Sequence, residues 1–352
     1  MSSRRAFVAC VPATAPNDVS GVEALFRQGI LKPQDLVAIL GKTEGNGCVN
    51  DFTRAFATAS FEALLARHGA TGASLVMSGG TEGALSPHWT VFGRQEVADA
   101  GHGALAIGVA RTEPLPWADL GRKAQVLSVA RAVRSAMADA GIDAVDDVHF
   151  VQIKCPLLTL SRVAEVEKAG GRAVTRDALK SMAFSRGASA LGVAVALGEL
   201  DPDTISDADI CTRLDFFSGR ASTSAGVELV DHEIVVLGMS KLWSGPLAIG
   251  HAVMRDAIDT EPLTAARARL PHGSRLVVVL AKAEADPSGR VRAQRHTMLD
   301  DSDIAATRHA RAFVGGVLAG LFARTDLYVS GGAEHQGPPG GGPVALIVER
   351  KA

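Results

Sequence analysis

The sequence predicts an α/β (α+β) fold of three homologous β-α-β-α-β-β repeats set around a pseudo-threefold axis, with a site at their centre. Three observations predict it. Three short apolar runs end in lysine: Leu36–Lys42, Val148–Lys154 and Leu276–Lys282. Three later segments carry a serine with a glutamate four positions on: Ser78–Glu82, Ser224–Glu228 and Ser330–Glu334. Between each lysine and its serine runs a helix-like pattern holding Arg54, Arg186 or Arg311. Such internal similarity marks a repeat architecture.

Taken in order, each lysine run is short, apolar and rich in β-branched residues, so it reads as a buried strand. In the first repeat, Asn50 or Asp51 is placed to cap a helix through Arg54 to about Ala66. Leu75-Val-Met then leads as a strand into Ser78, and Thr90-Val-Phe follows as another. The second repeat opens with Ala104–Ala110 as a strand and Leu120–Ala140 as a helix. Arg186 lies in a further helix, within Ser185–Leu191, and Ile234–Leu237 is the strand after Ser224. In the third, Asp301 or Ser302 is placed to cap a helix through Arg311. Leu327-Tyr-Val leads into Ser330, and Val344–Val348 closes the chain as a strand. The expected units are residues 1–103, 112–249 and 255–352, with joints near 103–112 and 250–255.

A single apolar run ending in lysine is ordinarily a strand end meeting solvent. The ordered set Lys, Arg, Ser repeated three times asks for more. A repeated architecture preserves apolar periodicity, but it does not require polar triplets at strand ends.

Composition narrows the function classes. The chain has 352 residues, enough for two or three domain-sized units with a buried core. Lys+Arg (36) nearly cancels Asp+Glu (38), leaving a formal net charge of -2. No global field favours nucleic acid or anionic lipid, so neither is an expected partner. Cys10, Cys48, Cys155 and Cys211 show no Cys-x-x-Cys spacing, which argues for reduced thiols rather than disulfides or a thiolate zinc site. The apolar stretch at the start is broken by Pro12 and Pro16, too short for a signal core. No run of 18 apolar residues occurs. A cytoplasmic protein acting on a small molecule is the expectation.

Brought to one centre, these residue types suit acyl chemistry. A serine hydroxyl is a poor nucleophile until a base takes its proton, and a lysine destabilised by burial or nearby cations serves as that base. Arginine forks match planar carbonyl-and-imide edges. Glycines after the serines let backbone N–H groups approach a ligand. A threefold ring of donors fits a flat ring bearing three carbonyls at similar angles, and spacing alone does not say which serine attacks.

Other signals carry less. The loop Glu334-His-Gln-Gly-Pro-Pro-Gly-Gly-Gly-Pro343 lacks the Gly-Lys-Ser/Thr ending of a phosphate loop. Its carbonyls, the Gln336 amide and a carboxylate such as Glu284 suit a hard cation, Mg²⁺ or Ca²⁺. His296 with Asp300, Asp301 and Asp303 resembles a metal cluster, yet helix capping explains these aspartates more simply. His88, His309 and His335 have no paired ligand spacing, which disfavours a zinc hydrolase. Cys155 alternates with Lys154 and so faces the other side of the sheet.

Five segments resemble the cyanuric acid amidohydrolase/barbiturase family: Gly41–Asp51, Met77–Gly83, Val151–Leu158, Phe184–Leu191 and Val329–Pro338. The resemblance spans all three repeats. It implies a homo-oligomer, often a tetramer, that opens a cyclic imide ring without an organic cofactor. It implies that Lys154 is the base and Ser224 the nucleophile, with Lys42 and Lys282 in two further dyads. Binding residues carry over to Arg54, Arg186 and Arg311, and to Ser78-Gly79, Ser224-Ala225 and Ser330-Gly331. A structural metal maps onto Glu284, Ala333, Gln336, Gly337, Pro338 and Gly341, the apolar ones through carbonyls. Ser222 rivals Ser224 by composition, but aligning the repeats puts Ser224 level with Ser78 and Ser330. The implied reaction turns cyanuric acid into carboxybiuret, which decarboxylates to biuret. Barbituric acid is the nearest alternative substrate. A non-catalytic imide-binding protein is an alternative of another class.

Overall fold

The structure is a computed structural model and describes residues 3–351. The first third folds as β1 (Ser3–Pro12), α1 (Ser20–Arg27), β2 (Leu36–Thr43), α2 (Phe52–Arg67), β3 (Ser74–Gly79) and β4 (His88–Val97). The middle gives β5 (Ala104–Arg111), α3 (Lys123–Ala140), β6 (Val148–Pro156), α4 (Leu160–Lys168), α5 (Ala178–Ala196), β7 (Ala221–Gly226) and β8 (Glu233–Ser240). A short β9 (Trp243–Ser244) follows. The last third gives β10 (Leu247–Met254), α6 (Glu261–Arg269), β11 (Arg275–Ala283), the small hairpin β12 (Arg290–Val291) and β13 (Gln294–Arg295), α7 (Ala306–Phe322), β14 (Tyr328–Gly331) and β15 (Gly342–Glu349).

The same topology recurs three times. The sheets run β3-β2-β4-β1, β7-β6-β8-β5 and β14-β11-β15-β10, with β9 added at the free edge of the first. In each, the lysine strand lies parallel to the serine strand and antiparallel to the strand after it. Even the irregularity repeats: each lysine strand slips register once, between Leu36 and Ala38, Val148 and Phe150, and Leu276 and Val278. A bulge at a fixed place bends the strand and re-aims the residues beyond it, here the end that carries the lysine. β5, across the first expected joint, pairs with β8, and β10, across the second, pairs with β15.

Helix starts follow local chemistry. Asp51 caps α2 by accepting from the Thr53 N–H at 3.1 Å, and Asp177 caps α5 from Lys180. The third helix corrects the sequence reading. α7 begins at Ala306, with no side-chain cap. Asp301 instead accepts from the backbone of Asp303 and Ile304, closing a turn ahead of the helix, and its other oxygen meets His309 Nε2 at 3.0 Å. α5 is apolar nearly all round and packs on α3, where Gly192 fits against Val129. One large core cluster takes residues from all three sheets, including Leu40, Phe150 and Leu280. That shared core fixes the sheets to one another, so their lysine and serine ends keep a common geometry.

A candidate active site where three sheets meet

The parallel register decides the chemistry. Lys42 pairs with Ser78, Lys154 with Ser224 and Lys282 with Ser330. Paired residues on neighbouring strands project to the same face, so topology alone sets each lysine beside its serine. All three lysines are at most 1% exposed, and the serines at most 7%. Ser222 pairs instead with Gln152, whose amide oxygen accepts its hydroxyl proton at 2.7 Å, and this spends it as a rival.

One pocket takes Arg54, Ser78 and Gly79 from the first sheet's region, Arg186, Ser224 and Ala225 from the second, and Arg311, Ser330 and Gly331 from the third. Its free volume is about 30 Å³, so the lining side chains converge closely. Met77, Met182 and Gly47 complete the lining. These three carry no sequence signal, since an apolar residue gives none for a pocket. At the centre the Ser224 and Ser330 hydroxyls lie 3.3 Å apart. Tyr328, wholly buried, has a hydroxyl without a hydrogen-bond partner among the described residues.

The glutamates after the serines bind arginines across the units. Glu334 takes both Nε and Nη2 of Arg186, at 2.8 and 2.6 Å. Glu82 takes the same two nitrogens of Arg311, with Nε at 3.0 Å. Burial alone would raise these carboxyls, but the arginines hold both below the usual range. Gly80 (φ +104°) and Gly332 (φ +75°) make the close approach possible, because a Cβ on either would strike the guanidinium beside it.

The third link of this ring is broken. Arg54 gives Nη1 to the Ala225 carbonyl at 3.0 Å, and its Nε is 3.6 Å from Asp51. Glu228, the equivalent of Glu82 and Glu334, lies instead 2.7 Å from Lys154 Nζ. That contact is one of charge, for Lys154 Nζ makes no well-aligned hydrogen bond. The other lysines differ. Lys42 donates to the Val329 carbonyl at 2.8 Å; burial, then Arg311, pushes its amine well below the ordinary value. Lys282 donates to the Thr223 carbonyl, Ser330 Oγ and the Gly331 carbonyl, all at 3.0–3.1 Å. Burial, then Arg186, pushes Lys282 down to about 7.

The loop behind Ser330 is where the expected cation would sit. Glu284 is part-buried, receives only the Ala285 N–H at 3.0 Å and the Thr307 hydroxyl at 3.3 Å, and has no ion-pair partner among the described residues. Burial, then Glu334, pushes its carboxyl up. It faces a cavity of about 120 Å³ lined by Ala333, Gly337, Pro338 and Gly341. A part-buried carboxylate without an ion-pair partner, beside backbone carbonyls, is the kind of donor set a hard divalent ion takes. The Gln336 side chain is engaged at both ends: its oxygen accepts the Thr223 N–H at 2.7 Å and its NH₂ donates to the Gly332 carbonyl, which makes its main-chain carbonyl the freer ligand for a metal. No group of three His, Cys, Asp or Glu positioned for a metal occurs among the described residues, and the His296 aspartates are no exception. Cys155 is a core thiol, raised by burial. No helix is long and apolar enough to cross a membrane.

The sequence profile of amidohydrolase ring-opening proteins matches residues 7–349. A cyanuric acid amidohydrolase of Rhizobium leguminosarum bv. trifolii is 69% identical over 351 residues, covering 100% of both chains. One from Azorhizobium caulinodans is 58% identical over 97% of each. A crystal structure of the A. caulinodans cyanuric acid hydrolase superposes with a TM-score of 0.94 at 56% identity, over 99% of this chain and 100% of that one. A second cyanuric acid hydrolase structure gives 0.94 at 46% identity, with the same coverage. With a profile running almost from end to end and relatives matched along their full length, the chain belongs to the ring-opening amidohydrolases and is an enzyme that hydrolyses a cyclic amide.

Proposed function

We propose that this enzyme hydrolyses one ring C–N bond of cyanuric acid to give carboxybiuret, which loses CO₂ to leave biuret. The carrying observation is the threefold Lys–Ser register around one pocket that also gathers three arginines. A flat ring with three carbonyls meets an equivalent set of donors on each side. In this reading, residues 1–103, 112–249 and 255–352 are repeat units, each giving one dyad to a pseudo-threefold site.

Ser224 is the nucleophile and Lys154 its base. Lys282 spends three donors on three acceptors, so losing a proton would break one of those bonds. Lys154 is tied to no carbonyl; its charge partner is Glu228, and once its ammonium has given up a proton it can take that of Ser224. The serine oxygen then attacks a ring carbonyl. Charge developing on the oxygen of the attacked carbonyl is met by Arg54, Arg186 and Arg311 and by main-chain N–H groups after the serines, and losing one such donor costs about 10²–10³ in rate. The proton moves from Lys154 to the departing ring nitrogen, and water releases the acyl group by the same steps reversed. Ser78-Gly79 and Ser330-Gly331 hold the two carbonyls that do not react.

A Mg²⁺ or Ca²⁺ held by Glu284 and the carbonyls of Ala333, Gln336, Gly337, Pro338 and Gly341 would supply structural charge balance. The chain's own part there is to keep Gln336 on Thr223, one residue before Ser224. The same reading carries a homotetrameric, cytoplasmic enzyme. Its test is a side-by-side assay of purified protein on cyanuric and barbituric acid, reading product by chromatography. Turnover of cyanuric acid with at least tenfold higher kcat/KM supports the proposal. Faster turnover of barbituric acid, or stoichiometric binding without product, overturns it.

A further inference from the structure

Glu228 is the one glutamate of the three that leaves the arginine ring. Glu82 and Glu334 are each spent on both nitrogens of an arginine, whereas Glu228 lies 2.7 Å from Lys154. Neither Lys42 nor Lys282 has a carboxylate within ion-pair distance among the described residues. Gly226 makes the contact possible: a Cβ there would strike both Glu228 oxygens and the Lys154 side chain, each at 2.5 Å. On its far side Glu228 opens to solvent. Its side chain is 32% exposed against 1% for Lys154. It lines a second cavity of about 420 Å³, outside the central pocket, together with Thr58, Glu62, Arg111 and Glu233. Glu233, paired with Lys154 across the sheet, is committed to Arg111 at 2.8 Å. Arg54 and Arg162 are the other charges facing Glu228.

We propose that Glu228 is a positioning residue that links the buried Lys154 to solvent, holding its ammonium in the resting site and carrying the proton out through the second cavity. One Nζ–H bond breaks, and its proton passes to a Glu228 oxygen and then to solvent. The electron pair stays on Nζ as the lone pair that later takes the Ser224 hydroxyl proton. This rests on the reading of Lys154 as the base.

The test is chemical rescue. Glu228→Ala lowers kcat at neutral pH at least tenfold; a proton-transfer group itself supplies about 10²–10⁴, and Glu228 acts one step removed from the reacting atoms. Formate, small enough for the second cavity, restores at least fivefold in a saturable manner and leaves the native enzyme unchanged. Glu228→Gln, of equal size, gives a second readout: the acid limb of its kcat/KM profile moves to lower pH, because an ammonium without a carboxylate neighbour gives up its proton more readily. A Glu228→Ala enzyme within twofold of native, or a folded one that formate does not rescue, overturns the proposal, as does an unmoved acid limb in Glu228→Gln. Lys154→Ala separates the two readings. If it keeps turnover, the assignment of the base fails; if it is inactive while Glu228 variants behave as native, only the role of Glu228 fails.

Discussion

Replacing Arg311 by methionine separates what the arginine ring does for stability from what it does for catalysis. The Arg311 side chain is 4% exposed, and its fork is closed on Glu82, which is itself 23% exposed. Removing one partner of a buried pair costs 3–5 kcal/mol; the partial solvent access of Glu82 places this case lower, at about 2–3 kcal/mol. Glu82→Gln in the Arg311→Met background removes the stranded charge, so the pair of changes costs about 2 kcal/mol less than the two single costs added. Urea unfolding followed by Trp fluorescence reads these values. Initial rates on the same proteins read the other role: Arg311 lines the pocket, so Arg311→Met and the double variant both lose at least tenfold in kcat/KM. Strictly additive stability costs would refute the coupling. A double variant that regained activity with its stability would refute the binding role.

Acid should unfold the protein partly through His232. Gln125 Nε2 donates to His232 Nε2 at 2.9 Å, so that nitrogen must stay unprotonated, and burial pushes the imidazole down to about 4. A depressed folded value means stability present above the ordinary 6.5 and lost as pH falls toward 4, about 2 kcal/mol of it between pH 7 and 5. His232→Gln should show a smaller loss over that interval by about this amount, and an unchanged loss would remove His232 from the account. Chelation tests the loop around Glu284: EDTA should lower the melting temperature and added Mg²⁺ or Ca²⁺ restore it, with Glu284→Gln insensitive to both. Equal behaviour of native and Glu284→Gln protein would leave the loop without a cation.

Much of the fold was legible because a strand of β-branched residues announces itself locally and did so three times with the same polar ends. Val148–Lys154 and Leu276–Lys282 needed no context to be read as strands. What lay beyond local pattern was long-range. The spacing from Ser330 to Glu334 was visible, but not that Glu334 reaches Arg186, 148 positions away. Nor could spacing distinguish Glu228 from its two counterparts, because only the tertiary contact shows that its partner is Lys154 and not an arginine. Asp301 misled for a related reason: an aspartate serves a turn as readily as a helix start, and only the tertiary path of the chain decides. Nor did spacing show that the Gln336 amide reaches a strand of the middle unit.

The most direct test of the central claim compares kcat for Ser78→Ala, Ser224→Ala and Ser330→Ala. In the proposed mechanism three topologically matching dyads meet one ring, but only the middle serine attacks. Ser224→Ala should therefore lose about 10⁴-fold or more, as when a nucleophile is removed from a hydrolase. The other two should keep kcat within about tenfold and lose mainly in KM, as binding groups do. The Lys282–Ser330 hydrogen bond sharpens the contest. A Ser330→Ala enzyme without turnover beside an active Ser224→Ala enzyme would contradict the account.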